Sequence, residues 1–170
     1  MASDAQAVRI VPMVEIRPID VFQAWMVADL DAFSTIAISG HLTPAEIGAV
    51  IATLAEVHLR DEDGLDLAEA DASTVIRALL EQDDLILPGG LEVRDLNAGP
   101  AIVPGCCCGL ESWREWSQVL SGEYPWLGHD PTPRIALDGD RIRVWQDSHV
   151  EGGDSVDLPV AVPMAGCGGS

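Results

Sequence analysis

The 170-residue sequence predicts an α+β fold, with a single compact domain over residues 1–165 in which about three helices pack on a small, mainly antiparallel sheet. Three observations support this prediction. Residues 43–60 carry complete helix signals, residues 133–147 carry the strongest hairpin signal, and residues 7–19 alternate like a strand. A hydrophobic content of 48% at this length is sufficient for a sizeable core.

The N-terminal third predicts a strand, a short helix and a second strand. Within residues 7–19 one face is apolar, and it consists of Val8, Ile10, Val14 and Ile16. Because Pro12 cannot donate to a sheet ladder, we expect this strand to be bent or to lie at an edge. Residues 20–32 predict a helix capped by Asp20, and residues 34–38 predict a short buried strand.

The clearest element is the helix over residues 43–60. Thr43 occupies the N-cap position, Pro44 the first helical position, and Glu46 completes a capping box. Apolar residues recur at helical spacing and predict the buried stripe, namely Ile47, Val50, Ile51, Leu54 and Val57. The acidic segment 61–64 ends the helix, with Gly64 as the terminating residue.

Two further helices are predicted, and a pair of strands lies between these helices in the sequence. The first helix covers residues 69–82, is capped by Asp71 or Ser73, and buries Val75, Ile76, Leu79 and Leu80. Residues 84–95 predict two short strands around Pro-Gly-Gly. The other helix covers residues 112–122, or starts nearer Leu110, with a Ser112–Glu115 capping box and a shared apolar face of Leu110, Trp113, Trp116 and Leu120.

The hairpin prediction rests on the turn dipeptide Asp138-Gly139. In that register Ile135 lies opposite Ile142, and Ala136 opposite Arg141. Alternation directs one set of side chains inward, namely Ile135, Leu137, Ile142 and Val144, and the other set outward, namely Arg134, Arg141, Arg143 and Trp145. One more strand is predicted at residues 156–162, and residues 166–170 predict a flexible C-terminal tail.

Charge is the strongest global signal. Twenty-eight acidic residues against nine arginines, with no lysine, give a net charge of −19. Such a field repels nucleic acid and anionic membrane surfaces and attracts basic proteins, so we expect a basic protein partner and neither nucleic acid nor a membrane. The composition is typical of a GC-rich bacterial genome. The N-terminus lacks the basic segment and apolar run of a signal peptide, which predicts a cytoplasmic protein with reduced cysteines.

The triplet Cys106, Cys107 and Cys108 has four interpretations, one of which is redox sensing by an adjacent pair, whose disulfide would require a strained ring. A metal site needs converging ligands, whereas consecutive side chains diverge, so only Cys106 and Cys108 would share a side, with His129, His149 or Cys167 completing the shell. A nucleophilic thiolate would use the following helix N-terminus and His129 or His149 as base. Free cysteine is also among the most buried residue types, and we therefore predict mainly structural cysteines, with no metal and no other cofactor.

The outward face of the hairpin is the candidate binding site. Arg134, Arg141, Arg143 and Trp145 could hold a carboxylate or phosphate, with the tryptophan supplying a stacking surface. Pairing of these arginines with the protein's own acidic residues explains the same pattern, and it is the interpretation we favour.

A small acidic chain with tryptophans followed by a hairpin over residues 113–147 resembles the SUKH type of toxin-immunity proteins. The resemblance implies an immunity role but transfers no residue role.

We expect an acidic, cytoplasmic bacterial protein that acts through protein–protein contact, in its sharpest form immunity- or antitoxin-like against a basic partner. The alternative is a small enzyme or a metal or redox protein that uses Cys106–Cys108 with a histidine. Phosphate-loop, dinucleotide-binding and hydrolase motifs are absent, which makes catalysis the weaker expectation.

Overall fold

A computed structural model describes residues 8–19, 22–60, 65–97, 99–139 and 141–159. The predicted α+β class is confirmed, with three helices and two antiparallel sheets within these residues. The first sheet consists of β1 (Val8–Glu15), β2 (Thr35–Ala37), β3 (Gly89–Asp95) and β4 (Ala101–Ile102); the second consists of β5 (Arg134–Asp138), β6 (Arg141–Trp145) and β7 (Ser155–Pro159). The helices are α1 (Pro44–Leu59), α2 (Ala72–Leu80) and a 3₁₀ helix (Leu110–Ser121). That residues 1–165 form one domain stays a prediction.

Strand β1 lies inside the first sheet, whose order is β2-β1-β3-β4, so the expected edge position is wrong. The sheet accommodates Pro12 because β2 pairs only with Met13–Glu15, so the missing N–H falls where β2 ends. The Pro12 carbonyl still accepts from Ile38 N at 2.8 Å. The predicted apolar face is also partly wrong, because Ile10 is half-exposed while Val11 is buried.

Helix α1 begins as predicted. Thr43 Oγ1 accepts from Glu46 N at 3.3 Å, and Glu46 Oε2 accepts from Thr43 N at 2.7 Å, which completes the capping box. The predicted buried stripe is wrong, since Ile47 and Val57 are exposed and the other members only half-buried. The helix instead buries a face of mainly small side chains, namely Gly48, Ala49, Ala52, Thr53, Ala55 and Leu59.

The described part of the predicted 20–32 helix, residues 22–32, is not helical. It runs along α1, where Ala28 N donates to Ala45 O at 2.9 Å and the Trp25 indole donates to Gly48 O at 2.9 Å. Burial of Trp25 and Phe22 against the helices outweighs the local helix signal here. The capping residue proposed for this helix, Asp20, lies outside the described residues.

Helix α2 is capped by Asp71, whose carboxylate accepts from Thr74 N at 2.8 Å. It buries Val75 and Leu79 as predicted, but Ile76 and Leu80 are exposed. The predicted terminator of the preceding helix, segment 61–64, lies outside the described residues.

Residues 84–95 form one strand rather than two. Gly89 has a φ of 138° and opens β3, which pairs along its length with β1 instead of folding back on residues 84–88. Leu87 N donates to a Glu111 carboxylate oxygen at 3.2 Å, so the segment before β3 is attached to the 3₁₀ helix. Long-range pairing with β1 therefore replaces the local turn.

The third helix starts at Leu110 and is 3₁₀ rather than α. Its N-cap is Gly109, with no side-chain cap, so the predicted Ser112–Glu115 capping box is wrong. At three residues per turn the side chain that follows Trp116 on the inner face is Val119, which is fully buried, whereas Leu120 is exposed.

The β5–β6 hairpin forms, but its register differs from the prediction. Ile135 pairs with Val144 and Asp138 with Arg141, a shift of two residues. Because side chains alternate with a period of two, this shift keeps every residue on its predicted side of the hairpin. The predicted burial of Leu137 is nevertheless wrong, because its side chain is 42% exposed. Strand β7 confirms the predicted strand up to Pro159, while residues 160–170, including the predicted tail, lie outside the described part.

Among the described residues, two apolar clusters hold the helices and sheets together. One lies between the sheets and the 3₁₀ helix and contains Val93, Ile102, Val119, Leu127, Ile135, Val144 and Val156. Another joins α1 to α2 through Ala55, Leu59, Val75 and Leu79. Among the described helices none has the length and apolar character needed to cross a membrane.

Candidate functional site

Cys106, Cys107 and His129 form one cluster, hereafter the thiol–imidazole cluster. Their ligand atoms all lie within 4.8 Å of one another. Cys106 Sγ is 3.7 Å from Cys107 Sγ and 3.1 and 3.5 Å from the two ring nitrogens of His129. Cys107 and His129 are exposed and Cys106 is half-buried, so solvent reaches the group.

The backbone positions this cluster. Cys106 N donates to His129 O at 2.7 Å and His129 N donates to Cys106 O at 3.2 Å, an antiparallel bridge that puts the two side chains on one face. Cys107 has a φ of 60°, which breaks the alternation of an extended chain. This turn brings the sulfur of Cys107 back towards that of Cys106.

Cys108 lies apart from the thiol–imidazole cluster. It is buried, and its sulfur is 3.7 Å from Ser112 Oγ at the start of the 3₁₀ helix. The expectation of buried, structural cysteines therefore holds for Cys108 and is wrong for Cys107, which is exposed. The predicted pairing of Cys106 with Cys108 is replaced by that of Cys106 with Cys107. His149 is outside the cluster, and Cys167 lies outside the described residues.

The electrostatics do not favour a nucleophilic thiolate. Desolvation raises the pKa of the Cys106 thiol, and so do its hydrogen bond with Cys107 and the charges of Asp130 and Glu15. Burial likewise raises the pKa of Cys108. An activated cysteine requires the opposite shift.

The orientation of His129 also differs from that of a catalytic base. In a cysteine–histidine–acid relay the thiol and the acid use different ring nitrogens. Here Nδ1 is the nitrogen nearest both, at 3.1 Å from Cys106 Sγ and 3.0 Å from Asp130 Oδ2. Because the sulfur is nearly equidistant from both nitrogens, neither lone pair points at it. The cluster resembles an array of ligands more than a proton relay.

The outward face of the hairpin, hereafter the arginine face, holds the predicted side chains together. Arg134 lies opposite Trp145, and Arg143 and Arg141 lie opposite Ala136 and Asp138. The guanidinium of Arg134 lies 5.1 Å from the Trp145 ring centroid.

Two of these arginines form ion pairs with acidic residues of the protein itself. Arg143 donates from Nε and Nη2 to the two carboxylate oxygens of Asp157 at 2.7 and 3.3 Å, and its Nη1 lies 3.0 Å from Asp138. Arg141 is 3.9 Å from Asp157. An external anion would have to displace these carboxylates, which supports the interpretation of internal pairing.

Replacing Arg143 by alanine should cause a small but measurable loss of unfolding free energy at neutral pH, because solvent screens an exposed ion pair. Arg143 lowers the pKa of Asp157 by hydrogen bonding, so this stability is present above the unfolded-state pKa of about 3.9 and is lost as the pH falls through the lower folded value. Arg143→Lys should be intermediate because lysine lacks the planar fork. Urea unfolding at several pH values tests this; an undiminished difference between wild type and Arg143→Ala in strong acid would contradict it.

A groove between α1, α2 and the segment before α1, hereafter the α1–α2 groove, has a volume of about 270 Å³. Its lining is entirely apolar and consists of Trp25, Met26, Pro44, Ile47, Gly48, Ile51 and Ile76. Met26, Ile47 and Ile76 are 73%, 46% and 38% exposed, so the groove is open to solvent. Leu80, 79% exposed and one helical turn beyond Ile76, extends the apolar surface along α2.

The segment of sequence that supplies all the residues lining this groove carries most of the protein's net negative charge. Residues 20–84 contain fourteen acidic residues and only two arginines, a net charge of −12 out of −19. One of the two, Arg60, is paired with Glu56 on the same helix. The apolar α1–α2 groove is therefore formed by a strongly acidic segment of the sequence.

No family model, curated protein or solved structure matches the chain. Function therefore has to be inferred from the three sites described above.

Sequence reasoning missed the α1–α2 groove. Ile47 and Ile51 recur at helical spacing on α1, and Ile76 is one of the apolar residues of α2; such patterns predict helices without indicating which apolar residues are covered. One available signal was the run of glycine and alanine along α1, since small residues allow close approach of a neighbouring segment.

Proposed function

We propose that this protein is an acidic binding protein that holds a basic, amphipathic segment of a partner protein in the α1–α2 groove. The observation that carries the proposal is an open, wholly apolar groove formed by a sequence segment, residues 20–84, of net charge −12. We further propose an immunity- or antitoxin-like role in a bacterial cytoplasm, in which the bound segment belongs to a basic toxin.

The chemistry of the groove selects the occupant. An apolar helix face fits a groove lined by Met26, Ile47 and Ile76, in the manner of other helix-in-groove complexes. Lysines and arginines on the flanks of that helix meet the surrounding carboxylates, which accelerates encounter and excludes acidic competitors. Nucleic acid is disfavoured as a partner because its phosphates are repelled and its backbone gains nothing from an apolar lining.

The binding test uses a labelled helical peptide of leucine and arginine, with leucines at i, i+3, i+4 and i+7, followed by fluorescence anisotropy. Two control peptides are required: one with the same composition in scrambled order, and one with glutamate in place of arginine. We expect the amphipathic basic peptide to bind most tightly and its affinity to fall with added salt, because exposed charges are screened beyond a Debye length of about 10 Å at 0.1 M.

Ile47→Glu with Ile76→Glu should weaken this binding at least tenfold, since apolar anchors dominate such interfaces. The control is Leu96→Glu, which adds one negative charge, against two in the double variant, at a residue that is 54% exposed and outside the groove. Added charge alone would strengthen binding of a basic peptide, so the two variants separate charge from contact. Equal binding of the scrambled peptide, or equal behaviour of the two variants, would refute the proposal. A wild-type dimer that becomes monomeric in the double variant would assign the groove to a second copy instead.

A further inference from the structure

We infer that Cys106, Cys107 and His129 form a zinc-binding site with three protein ligands and an open fourth position. Two thiols and one imidazole are the donors that zinc prefers, and three protein ligands plus an exchangeable one is the arrangement of zinc sites that bind water or substrate. This inference is independent of the α1–α2 groove, which shares none of these residues. It replaces the sequence-based expectation that no metal is bound.

The separations from Cys106 Sγ to the other two ligands fit tetrahedral zinc. With Zn–S bonds of about 2.3 Å and Zn–N bonds of about 2.0–2.1 Å, two sulfurs lie about 3.8 Å apart and a sulfur and a nitrogen about 3.5 Å apart. Cys106 Sγ is 3.7 Å from Cys107 Sγ and 3.5 Å from His129 Nε2. Both separations that involve Cys106 therefore match the spacing that the metal requires, and the third, between Cys107 Sγ and the imidazole, is no more than 4.8 Å.

The backbone brings the three ligands near this spacing without the metal. The backbone bridge between Cys106 and His129 holds these two ligands next to each other. The positive φ of Cys107 turns its sulfur towards that of Cys106, so these two ligands are also adjacent. A φ of 60° is unfavourable for cysteine, and conformations of this kind concentrate at functional sites. The side chains of consecutive cysteines diverge in an extended chain, but the chain is not extended at Cys107, so this argument against a metal site does not apply.

His129 has a neighbour suited to orient it. Asp130 Oδ2 lies 3.0 Å from Nδ1, and zinc-ligating histidines commonly donate their second N–H to a carboxylate. The ligating nitrogen is then Nε2. The His129 side chain is 47% exposed, so its ring can turn to direct the Nε2 lone pair at the metal. Zinc binds both cysteines as thiolates, so two protons are released to solvent.

Cobalt(II) and zinc(II) titrations of the reduced full-length chain test the site. We expect one equivalent of cobalt to produce the intense visible bands of tetrahedral coordination together with thiolate-to-cobalt charge transfer, and zinc to displace it. Magnesium should have no effect because it prefers oxygen ligands. Elemental analysis after dialysis against zinc should give one zinc per chain.

Cys107→Ser and His129→Gln should each weaken zinc binding at least tenfold in competition with a chromophoric chelator. Cys108→Ser is the matched control, since it removes a neighbouring thiol that is buried and outside the cluster, and it should bind as the wild type does. Circular dichroism of each variant establishes that it is folded. Absence of tetrahedral cobalt bands in the wild type, or loss of binding in folded Cys108→Ser equal to that in Cys107→Ser, would overturn the inference.

Discussion

Replacing Leu59 by alanine should lower the free energy of unfolding by about 2–5 kcal/mol, the range for large-to-small substitutions in well-packed cores. Leu59 is fully buried in the cluster that joins α1 to α2, beside Ala55, Val75 and Leu79. Its small neighbour on α1 cannot expand to fill the cavity. Urea unfolding followed by circular dichroism measures the loss.

The matched control for Leu59 is Ile47→Ala on the same helix. Ile47 is 46% exposed on the α1–α2 groove, so its truncation should cost well under half as much as that of Leu59. The comparison tests which face of α1 is buried. Equal losses from the two substitutions, or a larger loss from Ile47→Ala, would mean that the stripe predicted from the sequence, which contains Ile47, is the buried face of α1.

Local signals in the sequence predicted local structure well. The start of α1 depends on interactions among Thr43, Pro44 and Glu46, all within one helical turn, and these form as expected. The alternation of β5 and β6 likewise depends only on neighbouring residues. The register does not, because Asp138 pairs with Arg141 and a shift of two residues preserves both faces. Alternation alone therefore cannot fix the hairpin turn.

Long-range packing accounts for what the sequence did not reveal. Which face of α1 is buried, that of Ile47 or that of Ala52, depends on the segments that pack against the helix. One of them, residues 22–32, is distant in sequence from the residues it contacts and has no regular secondary structure. For the thiol–imidazole cluster, His129 was identifiable as a candidate by residue type. The partner of Cys106 was not, because it depends on a single backbone dihedral angle at Cys107.

Gly48→Ala should destabilise the protein by about 2 kcal/mol, although alanine is the better helix former. Helix propensity alone would stabilise α1 by about 0.8–1.0 kcal/mol. A Cβ at this position would, however, collide with the backbone carbonyl oxygen of Met26 and lie 2.9 Å from Trp25 Cδ1. Backbone cannot move aside as a flexible side chain does, so the overpacking cost of about 1–3 kcal/mol or more prevails. The bond from the Trp25 indole to Gly48 O, worth about 0.5–1.5 kcal/mol, is lost with it.

Gly40→Ala is the matched control, because an added Cβ there meets no atom within 4 Å. It should leave the midpoint of urea unfolding nearly unchanged. Gly48→Ala should in addition weaken binding of the basic amphipathic peptide, since Trp25 and Met26 form one wall of the α1–α2 groove and would be displaced from α1. A Gly48→Ala protein more stable than the wild type would show that propensity outweighs the contact, and that the segment through Met26 is not held against the helix. If stability falls while peptide affinity is unchanged, Trp25 and Met26 do not contact the peptide, and binding depends on Ile47 and Ile76.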